Sequence, residues 1–250
     1  EYVDPVPVSR TTVTRAGGFK PGHVTPKTST YTYLFLEDVL TQTGAGLPAD
    51  WGNDWGMDAR VVTDPVYAPT IRNDMKSLPI VCVSLDPQDF WGPDGIYTQS
   101  TGRGPDYERP GSVELFFPDG SRPGIQADCG IRIVGSASRV MSPKRGLGLL
   151  FQSRYGPSKF NYRFFEDSPV DKFDFLAFRP NFNMSWVRTD NSGPLNNGNA
   201  DGVERTHAIY VRDQFTKDSQ LAMGQLGAHE RFVHLYINGV YWGLYNPSER

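Results

Sequence analysis

The chain has 250 residues with 26 glycines and 20 prolines, and 38% of its side chains are hydrophobic, enough for a packed core and too many for wholesale disorder. A net charge of −3 and a pI near 5.8 lack the basic field of a nucleic-acid or membrane-surface protein. No apolar run approaches the roughly 18 residues of a membrane span, and two cysteines exclude a disulfide framework or a four-cysteine metal site.

Residues 11–16 and 28–33 alternate Thr, Val and Tyr around a Pro21-Gly22 turn signal, which predicts two strands ending a small β module over residues 1–33. Residues 34–77 mix short apolar patches with breakers and read as a connector, with a strand running into a helical turn over 34–40 and one more helical turn over 71–76. From Leu78 onward the character changes. Strands are predicted at 78–85, 112–117, 127–134, 146–152 and 173–179, divided by turns such as Asp86-Pro87 and Pro118-Asp119-Gly120. Cys82 and Cys129 fall inside such runs; they suit one bridge or two buried thiols, and the strand setting favours thiols.

One long helix is predicted over 206–223, with Val211, Phe215, Ser219 and Ala222 facing inward, Arg212, Asp213, Lys217 and Asp218 facing out, and Gly224 ending it. Residues 231–237 and 240–245 alternate around Asn238-Gly239, the signature of a hairpin with a type I′ turn. The expected fold class is therefore α+β: a mostly antiparallel β-meander with one long helix and a C-terminal hairpin. The chain starts at Glu1 without an initiator Met and stops just after that hairpin, which reads as a piece of a longer protein.

Common catalytic signatures are missing. His229 and His234 are five apart on an alternating segment, where they point to opposite faces, so no zincin site is expected. Asn197, Asn199, Asp201 and Gly202 resemble the start of a calcium loop, but the twelfth position is Ala208 where a Glu belongs, and a polar loop over 190–202 is the simpler reading. Neither a Walker A loop nor a nucleophile elbow occurs. What remains is a basic group, Arg132, Arg139, Lys144 and Arg145, around the small-residue turn Gly135-Ser136-Ala137-Ser138. Guanidinium forks and an ammonium suit an anion such as phosphate; from residue type alone, a solvated hairpin with edge-protecting charges is the simpler reading.

The order of these pieces carries a resemblance. Residues 129–139 (Cys-Gly-Ile-Arg-Ile-Val-Gly-Ser-Ala-Ser-Arg), then Pro143-Lys144-Arg145 and Leu149-Leu150-Phe151, resemble the glycine-containing strand and lysine block of the CotH kinase family. Residues 173–179, Val211-Arg212-Asp213 and the Asn238-Gly239-Val240-Tyr241-Trp242-Gly243-Leu244-Tyr245 hairpin resemble its later blocks, and Glu249 falls where the family often has a Glu. The likeness spans residues 78–250, read as the N-terminal part of such a domain; residues 10–33 resemble the end of a chitobiase C-terminal-like β module.

This resemblance implies a kinase-like N-terminal half and an atypical protein kinase that transfers phosphate from ATP, with Mg²⁺, to Ser or Thr of a protein outside the cell or at its surface. It implies a nucleotide-phosphate lysine at Lys144, an orienting partner at Glu249, and further anion contacts at Arg139 and Arg212. The family's catalytic and metal-binding aspartates lie C-terminal to the hairpin. The resemblance thus implies that residues 1–250 hold neither and are inactive alone. A noncatalytic surface or adhesion module is the alternative, motivated by the β module and by Trp51, Trp55, Trp91 and Trp186 as exposed aromatics.

Overall fold

A computed structural model describes residues 4–22, 28–45, 47, 56–182 and 209–249. The 190–202 loop, Trp51, Trp55, Trp186 and the start of the predicted helix at 206–208 lie outside the described residues.

The strands are β1 (Thr12–Ala16), β2 (Ser29–Tyr33), β3 (Ile80–Leu85), β4 (Arg109–Phe116), β5 (Ile125–Val134), β6 (Gly146–Leu150), β7 (Phe160–Asn161), β8 (Lys172–Phe173), β9 (Phe175–Arg179), β10 (Val233–Ile237) and β11 (Val240–Ser248). Seven of them close a barrel in the order β10-β11-β9-β6-β5-β4-β3. This corrects the expected antiparallel meander and its kinase-like half. The sheet is mixed, because β10 runs parallel to β3 with His234 opposite Ile80 and Ile237 opposite Val83. Periodicity reports that a strand is half-buried; it carries no information about a partner some 150 residues away, and this distant pairing closes the sheet and removes its edges. The expected long helix is corrected too. Among the described residues a single helix reaches seven residues, and it spans only Arg212–Ala222. None is long and apolar enough to cross a membrane.

The chain divides into two compact units: Glu1–Ser84 with Ser112–Gln126 and His234–Trp242, and Leu85–Gly111 with Ala127–Val233 and Gly243–Arg250. In the first unit, β1 and β2 pair antiparallel from Thr12↔Tyr33 to Ala16↔Ser29. Val39, Leu40, Ile71, Met75, Ile80, Cys82 and Tyr236 form a core there, so residues 34–77 supply four of its side chains. Asn238 (φ 49°) and Gly239 (φ 82°) both take positive φ, as a type I′ turn requires. Imidazole His234 is a satisfied core group, with Nδ1 on the Tyr241 hydroxyl at 3.0 Å and Nε2 on the Asp74 carbonyl at 3.2 Å.

In the second unit, β5–β6, β6–β9 and β9–β11 pair antiparallel. Leu149 and Leu176 lie opposite each other and are buried, as are Phe151, Phe164 and Phe178. Both cysteines are buried free thiols, and burial pushes the Cys129 thiol well above its ordinary value.

The helix Arg212–Ala222 leaves Arg212 and Asp218 exposed as expected, but it docks through Asp213 and Lys217 of that same face. Val211 and Phe215 are exposed, while Asp213 and Lys217 are half-buried in ion pairs with Arg179 and Glu230. Arg179 Nη1 lies 3.1 Å from Glu230 Oε1, whose carboxylate has no solvent exposure, and Lys217 Nζ lies 3.3 Å from Asp213. A hydrophobic pattern assigns the inward face only where apolar burial dominates; here paired charges do the docking.

Candidate functional site

Strand β5 ends at Val134, and the chain turns through Gly135, Ser136 and Ala137 into the helical turn Ser138–Met141. Gly135 holds φ 112°, and a Cβ on it would meet the Ser138 hydroxyl oxygen at 2.4 Å, so this corner needs glycine. Within the second unit the turn separates two cavities.

The larger, about 490 Å³, is lined by Gly135, Ser136 and Ser138 on one side and by Arg179, Asn181 and Glu249 on the other. That volume suits a small-molecule ligand. Asn181 adopts a left-handed φ of 50° and is 3% exposed. Its Nδ2 donates to the Tyr210 carbonyl at 2.9 Å, while its Oδ1 is buried without a hydrogen-bond partner among the described residues. A buried acceptor left unpaired is costly, and a ligand N–H or O–H would relieve it.

Glu249 enters from the end of β11. Its Oε1 accepts from Ser168 Oγ at 2.6 Å; its Oε2 accepts the His229 backbone N–H at 3.0 Å and meets His229 Nδ1 at 2.8 Å. Burial alone would raise its proton affinity, but these hydrogen bonds from Ser168 and His229 outweigh it and hold the carboxyl below its usual value.

The smaller cavity, about 360 Å³, has Gly102, Arg103 and Tyr107 on one wall and Arg132, Gly135 and Arg139 on the other. Arg139 is 7% exposed. Its guanidinium donates to the carbonyls of Gly135 (2.8 Å), Ser100 (2.7 Å), Gly102 (3.0 Å) and Ile133 (2.6 Å). Arg132 lies over the Phe175 ring at 5.1 Å and bonds Glu108 at 3.1 Å.

The four residues singled out by resemblance are thus distributed. Glu249 lines the larger cavity and Arg139 the smaller one. Lys144 is half-buried, its carbonyl accepting from Ser142 Oγ at 2.9 Å, two residues before Gly146 in the larger cavity's lining. Glu249 is held by Ser168 and His229, not by Lys144. Arg212 is exposed at the first turn of its helix, its N–H on the Ile209 carbonyl at 3.0 Å. Trp91 is half-buried, edge-on to Phe90 at 4.8 Å.

Sequence reasoning missed Asn181, Arg179 and Arg103. The last had a signal: a cation between Gly102 and Gly104 sits on a backbone free to approach a ligand. Among the described residues no group of three or more His, Cys, Asp or Glu side chains is arranged to hold a metal ion. No protein-family model matches this chain, and no curated protein matches it.

Proposed function

We propose that this chain is the nucleotide-holding part of a CotH-like atypical protein kinase, which takes phosphate from Mg²⁺-ATP for Ser or Thr of a protein at or outside the cell surface. One observation carries the reading. Residues that bear the family resemblance yet lie more than a hundred positions apart, the 135–138 turn and Glu249, line a single cavity of about 490 Å³.

The lining fits a nucleotide in three respects. The unpaired Asn181 Oδ1 offers an acceptor to an exocyclic amine of the base. Ser136 and Ser138 offer hydroxyls on a small-residue turn that phosphates can approach closely. Glu249 is the lining carboxylate, and Mg²⁺ commonly takes one or two carboxylates along with phosphate oxygens. The bound metal would neutralise phosphate charge; this chain's residues would bind and orient.

The test is thermal stabilisation of the full chain by Mg²⁺-ATP, which follows RT ln(1 + [L]/Kd). Ser136 is exposed on the cavity wall, so Ser136→Glu places a carboxylate against the phosphates without disturbing the core. Stabilisation that S136E removes and Lys144→Ala weakens is the expected result. No stabilisation, or stabilisation indifferent to S136E, overturns the reading.

A noncatalytic scaffold is favoured by a different observation: Arg139 spends its guanidinium on four backbone carbonyls, the work of a structural brace. On that reading neither cavity takes a nucleotide, and the same titration separates the two.

A further inference from the structure

We propose that the cavity bounded by Arg103, Arg132 and Arg139 is a phosphate-binding pocket, filled by free phosphate or by the phosphate group of a small ester. It lies across the Gly135 turn from the cavity assigned to nucleotide, and it stands whether or not that assignment does.

The first argument is uncompensated charge. Arg139 is a buried cation whose hydrogen-bond partners are neutral carbonyls; no carboxylate bonds it among the described residues. A buried charge of this kind normally has an ionic partner. Instead its charged neighbours in the cavity are two more arginines. Burial, and then the charges of Arg103 and Arg132, make the Arg139 guanidinium easier to deprotonate than usual. An anion among the three relieves this repulsion.

The second argument is availability. Arg103 is exposed on the loop before the 3-10 turn Pro105–Tyr107 and bonds nothing among the described residues. Arg132 is shared with Glu108, but that carboxylate also takes Arg154 and the Tyr155 hydroxyl. One buried carboxylate therefore serves two arginines at once, and among the described residues Arg103 and Arg139 have no ionic partner. Asp106 sits in that 3-10 turn but is not in the cavity wall.

The third argument is shape. Gly102, Gly104 and Gly135 line the space. A Cβ on Gly102 would meet the Tyr107 ring at 2.0 Å, so glycine is what lets that ring form the wall. Three guanidiniums around a polar, glycine-walled space suit a multiply charged tetrahedral oxyanion; a carboxylate would occupy a single fork. The cavity, about 360 Å³, has room for more than a bare phosphate, which favours an ester.

The test uses the full chain with sodium phosphate against sodium chloride at matched ionic strength, and sn-glycerol 3-phosphate as the ester probe. Expected is a saturable rise in Tm with one or both phosphate probes. Arg103→Gln, which loses no bond seen in the fold, should weaken the calorimetric Kd about tenfold, the size of one charge-assisted hydrogen bond. Arg132→Gln should weaken it as well, and Ser136→Glu, on the other cavity, should leave it unchanged. Tighter binding of the ester than of phosphate identifies a phosphorylated small molecule as the source, and the reverse identifies the free ion. No stabilisation beyond chloride, or R103Q binding phosphate like the parent chain, overturns the proposal.

Discussion

The Glu249 carboxylate grips His229 at two points, the backbone N–H at 3.0 Å and the ring Nδ1 at 2.8 Å, while its other oxygen takes the Ser168 hydroxyl at 2.6 Å. Three distant stretches of the second unit are thus tied together by one side chain on the rim of the larger cavity. Because the folded carboxyl sits below its ordinary value of 4.5, the stabilisation it supplies is complete above that value. It is lost as pH falls through the lower folded value. Glu249→Gln should cost about 1–2 kcal/mol at pH 7. In thermal melts from pH 7 to pH 3, the Tm gap between parent and variant should narrow below about pH 4.5.

Glu114 has the opposite sign. Glu114 is 4% exposed, and its carboxylate accepts the Thr32 backbone N–H at 3.1 Å and the Thr32 hydroxyl. Burial raises its proton affinity, and the Thr32 hydrogen bonds only partly oppose this. A carboxyl whose folded pKa is raised binds its proton more tightly in the folded state, so stability declines as pH climbs from the ordinary value through the folded one. Glu114→Gln keeps an acceptor for the N–H and a donor for the hydroxyl. It should raise Tm at pH 7, with the gain vanishing below about pH 4.

The helix Arg212–Ala222 should respond to mutation in reverse of its hydrophobic pattern. Phe215 is 70% exposed, so Phe215→Ala should move stability by no more than about 0.5 kcal/mol. Glu230→Gln removes the buried carboxylate that Arg179 and Lys217 share and should cost about 3 kcal/mol. Urea denaturation of both variants checks the pair.

Arg139→Lys keeps the charge and loses the fork. One ammonium cannot serve the four carbonyls of Ser100, Gly102, Ile133 and Gly135, and the loss should be about 2 kcal/mol or more. Hydrogen exchange should show the loosening at residues 100–104 and 135–139 before the rest of the second unit.

Much of the local structure was legible in the chain. A continuous apolar run located β3, period-two alternation located β5, β10 and β11, and Asn238-Gly239 announced its turn, because these signals lie within a few residues of what they specify. The barrel was not legible, since the β10–β3 pairing depends on which buried faces meet across the chain. The helix face was misread because Asp213 and Lys217 are polar yet docked, their charges answered by Arg179 and Glu230 on other segments. At the site, the 135–138 turn and Glu249 were visible as motif residues. Asn181 was not, because its unpaired oxygen follows from Tyr210 claiming the other end of the amide.

The most direct measurement of the central claim is a Mg²⁺-ATP titration of the isotopically labelled full chain followed by backbone amide shifts. Saturable changes at Gly135, Ser136, Ser138, Asn181 and Ser248, with β1 and β2 unmoved, are the predicted result. A titration that leaves those amides unshifted, or moves only others, contradicts it.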